Sequence, residues 1–415
     1  MSPPDQISNE LTGRGSLQVS VFDTTVGRPL QDARVRVSRN GTDLGELTTD
    51  SSGQTQVMEL PTPPLDYSLA PNEPKPYAEY NVTVVSQEFE SLILNGVQIL
   101  PDTRALQDCR LIPVQPPVPM SQDINIEQHT LWGVFPPKIP EDEVKPLPDA
   151  GGLVVLPQPV IPEFVIVHLG APTNTGAQNV WIPFKDYIKN VASCEIYSTW
   201  PEQTIRANVY AILSFTMNRV YTEWYRGKGY DFTITNSTAY DQAFDYGRNI
   251  YEEISVVVDD IFTFYVTRPG IRQPLLTQYC DGSRTQCDGL TQWGSKNLGD
   301  QGLDALSILR NFYGYDVFLK EAEKVEGVPR SYPGSPLQMG SSGQPVRTIQ
   351  EQLNAISNNY PAIQKVRVDG VFGQQTQDAV KQFQQIFDLP QTGVVDMGTW
   401  YQISNIYVAV SKLAQ

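Results

Sequence analysis

The chain has 415 residues, 40% of them hydrophobic and 18% charged. That composition excludes global disorder and is enough to build roughly two to four domains at about 150 residues each. Asp and Glu outnumber Lys and Arg by 46 to 30, a formal net charge of −16, which argues against nucleic acid and anionic membranes as partners. No apolar run reaches the roughly 18 residues of a membrane span, and the opening Met1-Ser-Pro-Pro-Asp-Gln lacks the basic and apolar regions of a signal peptide, so none is expected there.

Residues 1–15 are polar and read as a disordered tail. From 16 to 113 the chain alternates as short strands do: Leu17-Gln-Val-Ser-Val-Phe, Ala33-Arg-Val-Arg-Val-Ser, Asn81-Val-Thr-Val-Val and Leu92-Ile-Leu, with Asn40-Gly41 and Ser51-Ser-Gly53 as turns. Such spacing predicts a β-sandwich. Twelve prolines then fall between 113 and 162. Proline removes donors and stiffens the backbone, so 114–162 reads as an extended linker, with a docked piece around Ile126–Phe135 as the alternative.

The stretch 163–330 mixes both periods, as an α+β domain does. Phe164-Val-Ile-Val-His-Leu and Val180-Trp-Ile-Pro-Phe are strand-like. A long helix should start after Pro201, with Thr199 and Glu202 as a capping box. Its one apolar face would be Ile205, Val209, Ile212, Leu213, Val220 and Trp224, and Gly227-Lys-Gly229 would stop it. A strand pair is expected near 231–235 and 254–267, with the acidic pair Asp259-Asp260 in a turn, and a last helix near Gly302–Phe312. The aromatics Tyr221, Trp224, Tyr225, Tyr230, Tyr240, Tyr246 and Tyr251 fit a core and, less often, a sugar-stacking surface. Residues 331–415 show two amphipathic faces, Val346/Ile349/Leu353/Ile356 and Ala379/Val380/Phe383/Ile386/Phe387, separated by turns at Asp369-Gly370 and Gln391-Thr-Gly393.

His129 and His168 are the only imidazoles, and neither lies near a Ser or Cys nucleophile motif. Cys109, Cys194, Cys280 and Cys287 make no CxxC. Ser-His-Asp, Cys-His and multi-histidine metal engines are therefore disfavoured, and catalysis would fall to carboxylates. Cys109, within the strand-rich region, reads as a buried structural thiol. Cys280 and Cys287, seven apart, leave a disulfide, free thiols and zinc open.

Three resemblances sharpen this. Pro29-Leu-Gln-Asp-Ala-Arg-Val-Arg-Val with Thr49-Asp-Ser-Ser-Gly resembles the carboxypeptidase-regulatory-like, prealbumin-like β-sandwich, a spacer or docking module. Gly343-Gln-Pro-Val-Arg-Thr-Ile-Gln, Val368-Asp-Gly-Val-Phe-Gly, Thr376-Gln-Asp-Ala-Val-Lys-Gln-Phe-Gln and Thr392-Gly-Val-Val-Asp-Met-Gly-Thr-Trp resemble the peptidoglycan-binding type 1 module, a three-helix bundle. That resemblance implies a wall-polymer groove, for which Asp369, Phe372 and Gln384 are the candidates. Ile182-Pro-Phe-Lys-Asp-Tyr-Ile-Lys-Asn-Val-Ala-Ser-Cys-Glu-Ile, Trp200-Pro-Glu and Thr291-Gln-Trp-Gly-Ser-Lys resemble the stage II sporulation protein D family.

Members of that family act on peptidoglycan glycan strands as lytic transglycosylases or as enhancers of amidases. Their key glutamate corresponds to Glu195, flanked by Ile196, Tyr197 and Trp200, which could desolvate it. The resemblance makes Tyr197, Trp200, Gln292 and Trp293 candidate substrate contacts. Without it, a glutamate at such a position reads as a solvated or capping group. The chain departs from the family at Leu213, where an arginine is usual, and at Cys287-Asp-Gly-Leu-Thr-Gln, where a histidine is usual. Some relatives hold zinc through a histidine and two cysteines here; on this chain that would leave Cys280 and Cys287 without a nearby histidine.

The whole reads as a multidomain wall protein: a β-sandwich, a spacer, a glycan-cleaving α+β domain and a wall-binding bundle. It needs no organic cofactor, and its partners are peptidoglycan glycan strands and, on the rival reading, a cell-wall amidase. That rival is a scaffold or amidase activator, in a spore coat or phage tail. The expected place is the cell envelope or a spore or particle, reached by lysis or by a phage-like particle.

Overall fold

The computed structural model describes residues 11–24, 29–114, 121–146, 158–322, 336–387, 389–396, 399–400, 402–404 and 406–407. Contacts divide the chain into a larger unit, Met1–Phe22, Pro29–Asp149 and Pro157–Glu323, and a smaller one, Asp23–Arg28, Ala150–Leu156 and Lys324–Gln415.

The larger unit opens with seven strands, β1 (Gly13–Asp23), β2 (Arg34–Arg39), β3 (Thr42–Thr48), β4 (Met58–Thr62), β5 (Ala78–Val85), β6 (Ser91–Ile99) and β7 (Arg104–Leu111). Alternation does what a period of two requires. In β5, Ala78, Tyr80, Val82 and Val84 point into the core while Asn81 and Val85 face water. Asn40 and Gly41 both take positive φ (49° and 77°), the backbone a two-residue hairpin needs, and set Arg39 opposite Thr42 between β2 and β3. Of the expected disordered tail, residues 1–10 lie outside the described residues, whereas Gly13, Arg14 and Gly15 pair with Thr62, Pro61 and Leu60 as strand.

The linker reading is corrected over 121–146. Strand β8 (Ser121–Asn125) runs parallel to β6 and extends that sheet to the order β3-β2-β5-β6-β8. The physical reason is in the proline positions: none falls between Met120 and Phe135, so this stretch keeps the donors that the open edge of β6 requires. His129 and Leu131 continue from it into the core. The second sheet, ordered β12-β7-β1-β4, gains β12 (Ile250–Tyr251) from far along the chain. Arg248 and Asn249 clasp Gln98 beside that strand, with Asn249 Nδ2 donating to the Gln98 carbonyl at 3.0 Å. The N-terminal strands are thus welded to the α+β part of the larger unit.

Strands β9 (Phe164–His168) and β10 (Asn179–Pro183) form an antiparallel pair joined in parallel by β11 (Ile234–Thr235). Helix α1 (Phe184–Glu195) comes directly after β10, and α2 (Glu202–Tyr221) starts a short turn beyond α1. The capping box does not form. Pro201 is the N-cap, Thr199 Oγ1 donates to Ser68 Oγ at 2.8 Å, and Glu202 pairs with Arg206. Nor does α2 have one apolar face; it is buried on every side, the pattern of a central helix. Its polar side chains are satisfied internally, Asn208 by Thr204 and Ser295, Ser214 by Val266 and Leu275 carbonyls. It ends at Tyr221, before the glycines, where Glu223 turns to positive φ.

The expected strand at 254–267 is a helix first, α3 (Glu252–Ile261), and only then strand β13 (Phe264–Thr267). Asp259 and Asp260 sit on the last turn of α3, not in a turn. They pair with Lys185, Lys189 and Arg206 on α1 and α2. Strands β14 (Tyr279–Cys280) and β15 (Leu290–Thr291) pair in parallel. Helices α4 (Gln292–Asp300) and α5 (Ala305–Tyr313) come next, and β16 (Phe318–Glu321) pairs with β13. Gly299 lets α4 lie against α2, since a Cβ there would stand 1.9 Å from Thr204 Oγ1.

The smaller unit holds α6 (Gln344–Ile356) and α7 (Gln374–Ile386), and Thr399, Trp400 and residues 402–404 are again helical. Val346, Ile349, Leu353, Ala379, Val380 and Phe383 meet in its core. Among the described residues no helix is long and apolar enough to cross a membrane.

Candidate functional site

Glu195 is the last residue of α1, and its side chain is 4% exposed. It is neither solvated nor a helix cap. Four neutral polar groups from four separate segments surround its carboxyl. The Ala243 amide and the Tyr279 hydroxyl approach Oε1 at 3.0 and 3.3 Å, and Thr130 Oγ1 and Gln292 Nε2 approach Oε2 at 3.2 and 3.1 Å. Gln292 also holds the Glu195 carbonyl at 2.9 Å, which fixes the register between α4 and the end of α1.

The carboxyl forms the floor of a cleft of about 150 Å³ whose walls include Phe135, Pro136, Lys138, Asp281 and Arg284. Much of this wall is the stretch whose prolines suggest a linker. His129 anchors it. Leu131 N–H approaches His129 Nδ1 at 3.2 Å, so the ring proton is assigned to Nε2, 3.3 Å from the Ile196 carbonyl. The ring packs on Tyr197 at 4.4 Å. Burial first, then the Arg248 charge, holds the His129 pKa well below its ordinary value, with the Ile196 carbonyl opposing. The Thr130 amide then reaches the Cys194 carbonyl at 3.0 Å.

The opposite wall is stapled. Cys280 and Cys287 form a disulfide. With both sulfurs bonded to each other, the zinc reading of this pair is corrected, because neither is a thiolate ligand. Inside that loop, Asp281 Oδ1 accepts from the amides of Ser283, Arg284 and Thr285 and from Thr285 Oγ1. The Arg284 guanidinium donates to the carbonyls of Leu131, Trp132 and Gly133. The disulfide loop therefore clasps the 129–136 strap.

Lys138 brings a cation to the cleft. Its ammonium donates to the Asp241 and Thr238 carbonyls and lies 4.7 Å from the centre of the Tyr279 ring. Burial lowers its pKa, while Glu195 and Asp241 oppose that shift. The Tyr279 hydroxyl is pushed well above its ordinary pKa, by burial first and then by the Glu195 charge. It stays protonated and donates.

The other sequence candidates divide. Gln292 lies in the cleft but grips Glu195. Tyr197 and Trp200 are buried, and Trp200 Nε1 donates to the Ser68 carbonyl at 2.9 Å. As sugar contacts both are corrected: no ring face is open. Trp293, half-buried, packs on Trp200 at 5.0 Å and on Tyr197 at 6.1 Å. In the smaller unit Phe372 has no exposed surface. Gln384 is equally buried, its amide spent on Gly393, Val394 and Thr399. Both are core, Phe372 as an apolar ring and Gln384 because the turn's polar groups need an internal partner. Asp369 is exposed, but its Oδ1 accepts from the Val371 amide at 2.9 Å and from Gln350 at 3.1 Å, a turn brace. Cys109 and Cys194 are buried free thiols raised by burial, Cys194 to about 12.

Sequence reasoning missed Thr130, Lys138, Ala243 and Tyr279. The proline-free window from Met120 to Phe135 was a usable signal for the first; nothing local marks the other three.

Residues 342–403 match the family described as "Putative peptidoglycan binding domain", which associates the chain with the cell wall. No curated protein matches the chain. Among solved structures, the SleB N-terminal domain is 32% identical over 18% of this chain and 93% of that one, with a TM-score of 0.16. The Bacillus anthracis TIE protein is 16% identical over 25% of this chain and 17% of that one, with a TM-score of 0.18. Klebsiella pneumoniae 5-hydroxyisourate hydrolase is 17% identical over 24% and 92%, with a TM-score of 0.16.

Proposed function

We propose that the larger unit cleaves peptidoglycan glycan strands as a lytic transglycosylase, with Glu195 as acid and then base, while the smaller unit tethers it to the wall. One observation carries the reading: a buried carboxyl, gripped only by neutral polar groups, lines a cleft. Glu195 first protonates the bridging oxygen as the C1–O4 bond breaks. The muramic 6-hydroxyl attacks C1 and returns its proton to Glu195, closing a 1,6-anhydro ring without water.

Thr130 gives the carboxyl a place for that proton. Its hydroxyl hydrogen is directed to the Cys194 carbonyl at 2.9 Å, so its oxygen can accept from Glu195 Oε2 at 3.2 Å. A hydrolase pairs its acid with a second carboxylate that activates water. The other carboxylate of this cleft, Asp281, is committed to its own turn, which favours the water-free route. Holding both partners on one chain raises the local polymer concentration at the cleft. Wild type and Glu195→Gln, incubated with glycan strands, should differ at least about 100-fold in anhydro-muramic ends by mass spectrometry. Equal product from both would refute the assignment.

A second reading is a non-cleaving wall scaffold or amidase activator. The observation favouring it is Leu213, sealed in the core where the resembled family carries arginine. It predicts pelleting with peptidoglycan and no released fragment. The envelope, spore or phage-particle setting is common to both readings.

A further inference from the structure

The same strap that walls the Glu195 cleft runs on to a second cavity of about 340 Å³ in the larger unit. Phe135, Pro136 and Lys138 face the first, Ile139 and Glu141 the second. The loop opposite does likewise, giving Thr238 to the cleft and Tyr240 to the basin. The Ile139 amide donates to the Ala239 carbonyl at 2.7 Å and pins strap to loop between the two.

The basin is walled by aromatic residues. Trp224, Tyr230 and Tyr240 keep part of their surface exposed. These belong to the aromatic stretch that the cleft chemistry leaves unused. The Trp224 ring is covered by the cations of Lys145, Arg219 and Lys228, whereas the half-open tyrosine rings offer flat apolar surface with a hydroxyl at the edge.

Its charges are unequal. Glu141 is taken by Arg219 at 2.5 Å and by Lys145 at 2.9 Å, and Asp241 by Arg219 at 2.7 Å. Lys228 has no carboxylate at ion-pair distance among the described residues. Its ammonium rests 3.3 Å from the centre of the Trp224 ring, exposed at the rim. A cation set on an indole keeps its outward N–H groups for a ligand. On a chain of net charge −16, an unmatched cation in an aromatic basin selects an anion with an apolar face.

We propose that this basin binds a saccharide bearing a carboxylate, its pyranose body against Tyr230 and Tyr240 and its carboxylate on Lys228. The site does not depend on cleavage at Glu195. A muramic-acid residue with a free lactyl carboxylate has both features; a chitin-type disaccharide has the body alone.

The test is calorimetric titration of the full chain with N-acetylglucosaminyl-N-acetylmuramic acid and with neutral N,N′-diacetylchitobiose. Wild type should bind the acidic disaccharide at least tenfold more tightly, with affinity falling as salt rises. Lys228→Glu should weaken the acidic ligand at least tenfold and the neutral one less than twofold. Tyr240→Ala should weaken both. Lys228→Gln, an exposed neutral change one atom shorter, should reproduce the charge effect without disturbing the fold. Binding in the smaller unit would persist through all of these variants. Wild type that binds neither sugar or both alike, or Lys228 variants with unaltered affinity, would overturn the proposal, whatever the outcome at Glu195.

Discussion

Two buried carboxylates of the larger unit sit a short way apart and are treated differently. Asp241 accepts from the Arg219 guanidinium at 2.7 Å, the Tyr225 hydroxyl at 2.6 Å, and the Thr235 amide and hydroxyl at 3.0 and 2.7 Å. Its grip is short and charge-assisted, and it belongs to an ion network with Glu141 and Lys145. Glu195 is held by neutral polar groups alone, at 3.0 to 3.3 Å, and it opens onto a cleft. Burial by itself therefore does not distinguish the two carboxyls. The chemistry of their partners does.

The contrast can be broken from either side. Asp241→Asn strips the buried Arg219 of a counter-charge, and its cost should be the largest, about 3–5 kcal/mol in denaturant unfolding. Opening the staple with Cys280→Ser and Cys287→Ser should cost about 2 kcal/mol by the loop-entropy estimate. It should also free Arg284 and the 129–136 strap, read as faster amide exchange at Leu131 to Gly133. Thr130→Val should cost about 1 kcal/mol while lowering anhydro-product formation more than it lowers stability. A thermal shift with unchanged product would separate Thr130 from the proton path.

A further effect is on pH. The His129 pKa is held below its unfolded value of 6.5, so the unfolded chain takes up the proton first. Stability from this group is complete above that value and falls on acidification, by at most about 1.4 kcal/mol per pH unit. Melting temperature should drop from pH 7 to pH 5, and His129→Gln should flatten that slope while lowering the curve at pH 7.

How much was legible depends on the range of each signal. The alternation of Ala78–Val85, the Asn40-Gly41 hairpin and the amphipathic faces of α6 and α7 are local, so the residue order displays them. Glu195 and Gln292 were reachable through a resemblance. The helix α3 was misread as strand because the run Val256-Val257-Val258 is β-branched, although Ile254, Val257, Val258 and Ile261 recur at i, i+3, i+4 and i+7 and the face they make packs against α1 and α2. The proline count hid a docked segment, because composition averages over a window in which the prolines are clustered at both ends.

The amino-acid order alone set the β-rich start, the helical end with its wall-binding motif, and the shortage of histidine. Tertiary structure alone decided that residues 130, 243, 279 and 292 converge on residue 195, that Cys280 meets Cys287, and that Tyr197, Trp200, Phe372 and Gln384 are sealed inside. Local patterns come from backbone geometry repeating every two or 3.6 residues. A site comes from side chains scores of positions apart, whose meeting no periodicity records.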